Sequence, residues 1–471
     1  MRVCGIVNIS SLRPNILFHF STHIFIKSQS TISMKKINLY ISLGSKFLIS
    51  FFLALSWAAL SIWLSYSWYL DLSEVIGKPL SFLLIMGIAI LPGFINSFLL
   101  ASLLLDRRKP MSDLKSYPAV TVLIAAFNER DHIDLTIQAL LNQKYDGDVE
   151  IIVIDDGSTD GTSEIVKTRC SNQIDLRCLT LPKNKGKANA LNEGLRLSKY
   201  SLIITIDADS YLYRDALKNI VKQQMSGGSA TAAVAGAVMV KNSRFSWLSR
   251  AQEWEYFQGI TTVKRVQSMY SATLVAQGAF SIYTKKALLQ LGGWPLTVGE
   301  DIVLTWGLLK LGYKVDYCES AIAFTVVPSS LGQLIKQRQR WARGMIEAFK
   351  AYPQLLSHRK YLILFIWWDF FFPLLDLTFT FAFIPGIILA SFGHYWIVGP
   401  MTLALLPISV ALNYVMYYRS SRLFLKMGLH VRSNYFGMLL YAFPFSLIVQ
   451  PAAVYGYCVE LLGLRKKWGT K

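Results

Sequence analysis

Two long apolar blocks bracket a stretch of ordinary polarity, and that partition constrains the fold more than any single motif. Residues 47–105 and 361–464 are sparsely charged, whereas residues 106–360 read like a soluble protein. The chain of 471 residues is 53% hydrophobic and only 16% charged, against about a quarter charged in an ordinary globular domain. The shortage lies in the two blocks, so the sequence predicts one globular domain inserted between N- and C-terminal transmembrane helices.

Within the first block, Phe47–Tyr66 and Leu80–Leu105 reach the length of about 20 apolar residues that crosses a bilayer as a helix. Residues 1–46 carry Arg2, Arg13, Lys27, Lys35, Lys36 and Lys46 and no acid, while the link between the spans holds Asp71 and Glu74 against Lys78. Asp106-Arg107-Arg108-Lys109 follows the second span. The positive-inside rule then puts residues 1–46 and the globular domain on the cytoplasmic side of a cell membrane. The first span lacks a small-residue cleavage pattern and reads as an anchor. Met34-Lys35-Lys36 resembles a bacterial start, so Met1 and Met34 both stand as candidate first residues. The second block divides into about three segments, Tyr361–Ser391, Tyr395–Tyr418 and Asn434–Leu464, interrupted by Asp369, Pro373, Asp376, Pro385, Pro444 and Pro451. Five full spans would put the basic tail 465–471 outside, against the charge rule, unless one proline-broken segment is re-entrant. Asp369 and Asp376 are expected either to line a cavity or to sit paired at an interface.

The formal net charge is +19. No zinc-finger spacing, RNP motif or basic heptad accompanies it, so no nucleic-acid partner is expected. The charge fits cytoplasmic loops facing a lipid bilayer, and a field that attracts an anionic substrate. The five cysteines and six histidines are scattered, with no CxxC or HExxH, which argues against a zinc enzyme and a disulfide framework.

In the middle region (110–330), Ala119–Phe127, Glu150–Ile154 and Leu202–Ile206 are short apolar runs, each followed by a helical pattern, at Asp131–Gln143, Gly161–Arg169 and Lys187–Leu197. This alternation predicts an α/β domain with a mainly parallel sheet, whose ligands bind beyond the carboxyl ends of the strands. Those ends carry Asn128-Glu129, Asp155-Asp156-Gly157-Ser158 and Asp207-Ala208-Asp209. Acids gathered at one sheet edge repel each other unless a cation sits among them. Mg²⁺ or Mn²⁺, with carboxylate and phosphate oxygens as ligands, suits the set. The loop Lys183–Lys187 precedes a helix and suits a phosphate or ribose contact.

The ordered set AAFNE (125–129), IDDGSTDGT (154–162), KGKANALN (185–192), DAD (207–209), GED (299–301) and QRQRW (337–341) resembles the inverting family-2 glycosyltransferases of GT-A fold. Within them it is similar to the membrane-bound processive synthases of poly-N-acetylglucosamine, hyaluronan, chitin and cellulose. The resemblance covers roughly residues 115–350. It implies that Phe127 lies against the donor base, that Glu129 is among the substrate-binding residues, that Asp155 and Asp156 bind the nucleoside, and that Lys187 approaches the ribose or diphosphate. It further implies that Asp207 and Asp209 form the metal-binding DxD, with Asp209 the direct ligand, and that Gln277 and Gly278 shape the acceptor pocket. By the same resemblance Asp301, with Glu300 beside it, is the general base, and Gln337, Arg340 and Trp341 sit between diphosphate and acceptor. Gly299 departs from the commoner Thr. Leu331, Leu334, Ile335, Arg338, Trp341, Ala342, Met345 and Phe349 recur at helical spacing, so 331–358 reads as a basic amphipathic helix region at the membrane surface.

The implied activity is transfer of a sugar from a UDP-sugar, UDP-N-acetylglucosamine first, to a growing polysaccharide exported through the membrane helices, as in biofilm matrix synthesis. Accessory membrane or export subunits are further partners it implies. Transfer of one sugar to a lipid, a hyaluronan-, chitin- or cellulose-type product, and an inactive membrane scaffold subunit are the alternatives.

Overall fold

The computed structural model describes residues 41–464 apart from 109–110, 172–174, 271–272, 358–359 and all but scattered positions between 399 and 432. Eight strands form one sheet: β1 Val120–Ala126, β2 Val149–Asp155, β3 Leu176–Thr180, β4 Leu202–Asp207, β5 Ser210–Leu212, β6 Thr231–Val240, β7 Phe280–Thr284 and β8 Lys314–Thr325. Their order is β3-β2-β1-β4-β7-β6-β8-β5. β3, β2, β1 and β4 run parallel, and the register Ala126↔Asp155 and Ala125↔Asp207 brings their polar ends to one edge.

The expected parallel sheet holds for that half alone. β7 is antiparallel to both β4 and β6, and β5 is antiparallel to β8, while β6 and β8 pair parallel. The missed strands have a physical explanation. β6 reads Thr-Ala-Ala-Val-Ala-Gly-Ala-Val-Met-Val, and alanine and glycine have little intrinsic strand preference. Burial between two neighbouring strands makes it a strand.

Both faces of the parallel half are covered, which is why its strands read as continuous apolar runs. Val120, Val122 and Ile124 pack with Ile137 and Ile220 on one face, and Leu123 packs with Leu191 and Leu195 on the other. The second core continues into the apolar helices. Phe47, Phe98, Tyr270, Tyr361 and Phe365 form one cluster of rings, with Phe47 and Tyr361 centroids 4.6 Å apart.

Among the described residues, three helices are long and apolar enough to cross a bilayer: Leu43–Leu64, Lys78–Leu105 and Leu362–Ser391. The first begins earlier than its apolar run, because Ser42 Oγ caps it by accepting the Ser45 N–H. The acidic link is itself a helix, Tyr66–Ile76. Phe52, Trp63 and Phe381 stand 62, 71 and 68% exposed, so these helices leave large apolar side chains uncovered. The last apolar segment breaks into Tyr435–Ala442 and Ser446–Leu461, which meet at 46° around Pro444. Asp376 is paired, its Oδ2 accepting the Tyr457 hydroxyl at 2.7 Å. The expected span Tyr395–Tyr418 falls largely outside the described residues, as do the basic segment before residue 41, both candidate start sites and the tail 465–471.

Candidate active site

Three loops at the carboxyl edge of the parallel strands are laced together by short polar side chains. After β1, Asn128 adopts φ +54°, unique among the described non-glycine residues. Its N–H donates to Ser158 Oγ and its Oδ1 accepts the Thr159 N–H, both at 2.9 Å. The Glu129 N–H donates to Thr162 Oγ1 at 2.9 Å. The Ser, Thr and Asp residues of 158–162 are therefore structural, tying the β1 loop to the β2 loop. Phe127 is half-buried at this junction.

Asp155, the last residue of β2, and Asp156 just after it are both buried, and they do different things. Asp155 Oδ1 accepts the Ser158 N–H at 3.1 Å, while its Oδ2 is buried with no hydrogen-bond partner in the chain. A buried carboxylate oxygen without a donor is costly and marks a place for a ligand donor. Asp156 is committed to the protein: its oxygens accept the Lys185 N–H at 3.0 and 3.2 Å and the Gly186 N–H at 2.7 Å. Burial pushes its pKa up, with those two N–H groups pulling it back. The Asp156 carboxylate thus shapes the basic loop whose last residue is Lys187.

Lys187 opens the helix Lys187–Leu197 and joins the two acidic motifs. Its Nζ lies 2.5 Å from Asp207 Oδ1 at the end of β4 and 3.6 Å from Glu300 Oε1. Burial would lower its pKa, but the charges of Asp207, Glu300 and Asp301 outweigh that and hold the ammonium above its usual range. Burial raises Glu300 in turn, against the opposing charges of Lys187 and Arg340. Gly278 leaves room for this contact, since a Cβ there would collide with Lys187 Nζ. Nζ is the far end of a flexible side chain and can swing aside at little cost in stability, but only by leaving Asp207 and Glu300. Gly278→Ala is accordingly expected to lower kcat/KM about ten- to a hundredfold with the melting temperature nearly kept. Wild-type kinetics in that variant would show that the ammonium has space elsewhere.

Asp301 lies in the first turn of the helix Glu300–Lys310. Its Oδ1 accepts the Ile302 N–H at 2.8 Å and its Oδ2 the Gly278 N–H at 3.4 Å. Asp209 accepts Thr325 Oγ1 at 3.3 Å. Burial, then the charges of Asp207 and Glu129, push its pKa up to about 7. Among the described residues no three His, Cys, Asp or Glu side chains gather closely enough to cage a metal. A hard divalent cation held by one or two carboxylates plus phosphate oxygens needs no such cage, and it would relieve the repulsion around Asp209. Asp209 with Asp207 fits such an ion.

Gln277 donates from Nε2 to the Gly236 carbonyl at 2.5 Å, and its Oε1, like Gln337 Oε1, is buried without a partner. Gln337, Arg340 and Trp341 sit on one long helix, Leu331–Ala351. The Trp341 ring is 40% exposed, with the Arg338 guanidinium 4.0 Å above it and the Tyr256 ring 6.4 Å away. The helix is packed into the domain more fully than its apolar stripe implies. Arg338, Arg343 and Glu347 are all buried, Arg338 against Glu255 at 2.6 Å. Neither Glu255 nor Tyr256 carries a sequence signal, since nothing local shows that they face this helix.

Residues 121–292 match the model of the family "Glycosyl transferase family 2". The chain is 34% identical over 238 residues to poly-beta-1,6-N-acetyl-D-glucosamine synthases of Staphylococcus aureus, covering 50% of this chain and 57% of theirs. It is 34% identical over 234 residues to the synthase of the same name from Staphylococcus epidermidis, covering 56% of that protein. The aligned region thus spans only a little over half the length of these curated relatives. Among solved structures, a mannosyltransferase of Pyrobaculum calidifontis, in complex with GDP-Man and Mn²⁺, superposes with a TM-score of 0.55 at 18% identity. That match covers 90% of this chain and 99% of the other, and shows a shared GT-A fold. The family match thus covers the region that bears the acidic strand ends.

Proposed function

We propose that the chain transfers sugar, with inversion, from a UDP-sugar to a growing polysaccharide. The preferred donor is UDP-N-acetylglucosamine and the product a β-1,6-linked polymer that leaves through the membrane helices, with the catalytic domain cytoplasmic. The observation that supports this is the run of contacts from Asp207 through Lys187 to Glu300, with Asp301 next in the chain and bonded to the Gly278 N–H, a grouping of ammonium and carboxylates suited to a diphosphate and to taking up a proton. In the step itself, the acceptor hydroxyl oxygen bonds to the anomeric carbon and the bond from that carbon to the diphosphate breaks. The hydroxyl proton passes to an Asp301 carboxylate oxygen. Lys187 and Arg340 oppose the charge that grows on the leaving diphosphate. Asp155 Oδ2 supplies an acceptor for a base or ribose donor group, and Trp341 an exposed ring on which a sugar face can rest. Mg²⁺ or Mn²⁺ at Asp209 and Asp207 would supply further charge compensation for the diphosphate. The curated relatives' names support the choice of sugar and linkage.

Purified membranes incubated with single labelled sugar nucleotides, Mg²⁺ or Mn²⁺, and then a β-1,6-specific glycosidase test this directly. Label from UDP-N-acetylglucosamine should enter a long polymer, disappear when EDTA removes the metal, and be released by the glycosidase. A single labelled glycolipid would point to one-step transfer. No incorporation from any sugar nucleotide would overturn the proposal.

A further inference from the structure

The helix Leu331–Ala351 does more than carry Gln337, Arg340 and Trp341. One turn beyond Trp341, its Gly344 approaches Gly299 so closely that a Cβ on either would strike the other's Cα. In the next turn Glu347, 4% exposed, accepts the Gly299 N–H through Oε2 at 2.9 Å, from 48 residues away. Gly299 is the residue before Glu300 and Asp301 and the N-cap of their helix, and it has no side chain with which to cap that helix. The turn is therefore held from outside. This also accounts for glycine at 299, because any larger residue would drive the two backbones apart. On its other side the long helix is anchored: Arg343 pairs with Glu460 at 3.3 Å, and Gly456 packs on Gln339 and Ala342.

We propose that Glu347 is a positioning residue for Asp301. Through the Gly299 N–H it locks the Gly299-Glu300-Asp301 turn onto the helix bearing Gln337, Arg340 and Trp341, so that the proton acceptor and the groups around diphosphate and acceptor keep one fixed relation. This rests on Asp301 as the base, as proposed above. Glu347, 4% exposed, acts through the backbone it holds. Its effect is on orientation, where a displacement of about 1 Å can cost on the order of 10²-fold in rate.

The test uses the full chain in detergent, assayed with whichever sugar nucleotide the wild type incorporates, and compares Glu347→Gln, Glu347→Asp and Glu347→Ala. The glutamine amide oxygen still reaches and accepts the Gly299 N–H, whereas aspartate is one methylene too short. Glu347→Gln is expected to keep kcat within about fivefold of wild type. Glu347→Asp and Glu347→Ala should lose about 10²-fold in kcat, with the donor KM and calorimetric UDP binding changed less than twofold. Retained UDP binding identifies a folded protein. Should Glu347→Ala fail to fold, the aspartate and glutamine pair decides. Equal kcat loss in Gln and Asp variants, a kcat within threefold of wild type in the Asp variant, or a parallel loss of UDP binding would overturn the positioning role. A wild type inactive on every donor would instead overturn the proposed sugar transfer, and this inference with it.

Discussion

Asp301→Asn is expected to lower sugar incorporation by about 10²–10⁴-fold, the usual contribution of a positioned general base, while the protein still binds its sugar nucleotide. Asparagine has nearly the shape of aspartate, and its amide oxygen can still accept the Ile302 N–H now held at 2.8 Å by Oδ1, losing only the long 3.4 Å bond that Oδ2 accepts from the Gly278 N–H. Helix and turn should therefore stay in place. What is lost is a carboxylate able to take a proton. Initial rates over a range of donor concentrations, with calorimetric binding of UDP, separate the two effects: kcat should collapse while affinity changes less than about threefold. Polymer synthesis near the wild-type rate would remove Asp301 from the role and shift attention to Glu300. Glu300 sits 3.6 Å from the Lys187 ammonium, an arrangement suited to holding charge more than to collecting a proton.

The second large effect is expected at Lys187. Its ammonium faces Asp207 and Glu300 together and feels Asp301 as well. Lys187→Met keeps much of the side chain's volume but leaves Glu300 buried without its cation. Stripping one partner from a buried ion pair typically costs about 3–5 kcal/mol. The side chain of Asp207 is 31% exposed, so the low end of that range is expected here. The variant should melt well below wild type in detergent and show less than about 1% of wild-type turnover. Adding Glu300→Gln should restore most of the melting temperature, because the buried charge is then gone, without restoring turnover. A Lys187→Met protein as stable as wild type would mean that Glu300 is neutral or hydrated in the folded state.

The strands that place the strand-end acids were legible because each is a self-contained pattern. Ala119–Phe127 was expected as a strand and Val120–Ala126 is one; Lys187–Leu197 was expected as a helix and is one. The motif IDDGSTDGT was legible as a unit but not in its division of labour. Asp155 leaves an oxygen unpartnered, Asp156 builds the basic loop, and Ser158 and Thr162 bind the neighbouring loop. All four share the same local polarity, so only their partners distinguish them. Lys187 was expected near a ribose or diphosphate, and its contact with Glu300 had no local signature. The alanine-rich β6 and the antiparallel β7 also escaped, because their strand state comes from neighbours and not from propensity.

The amino-acid order by itself determined the partition into apolar helices and an α/β domain, and the placing of acids and a basic loop at strand ends. Hydropathy and strand periodicity act over ten to twenty residues, within reach of a linear pattern. Only the tertiary structure decided which acid meets Lys187, that Gly299 must be glycine, and that the Gln337–Trp341 helix is bound to the Asp301 turn. Those outcomes are set by backbone contacts and buried charges between segments far apart in the chain, where packing and the cost of an unpaired buried group choose the partner.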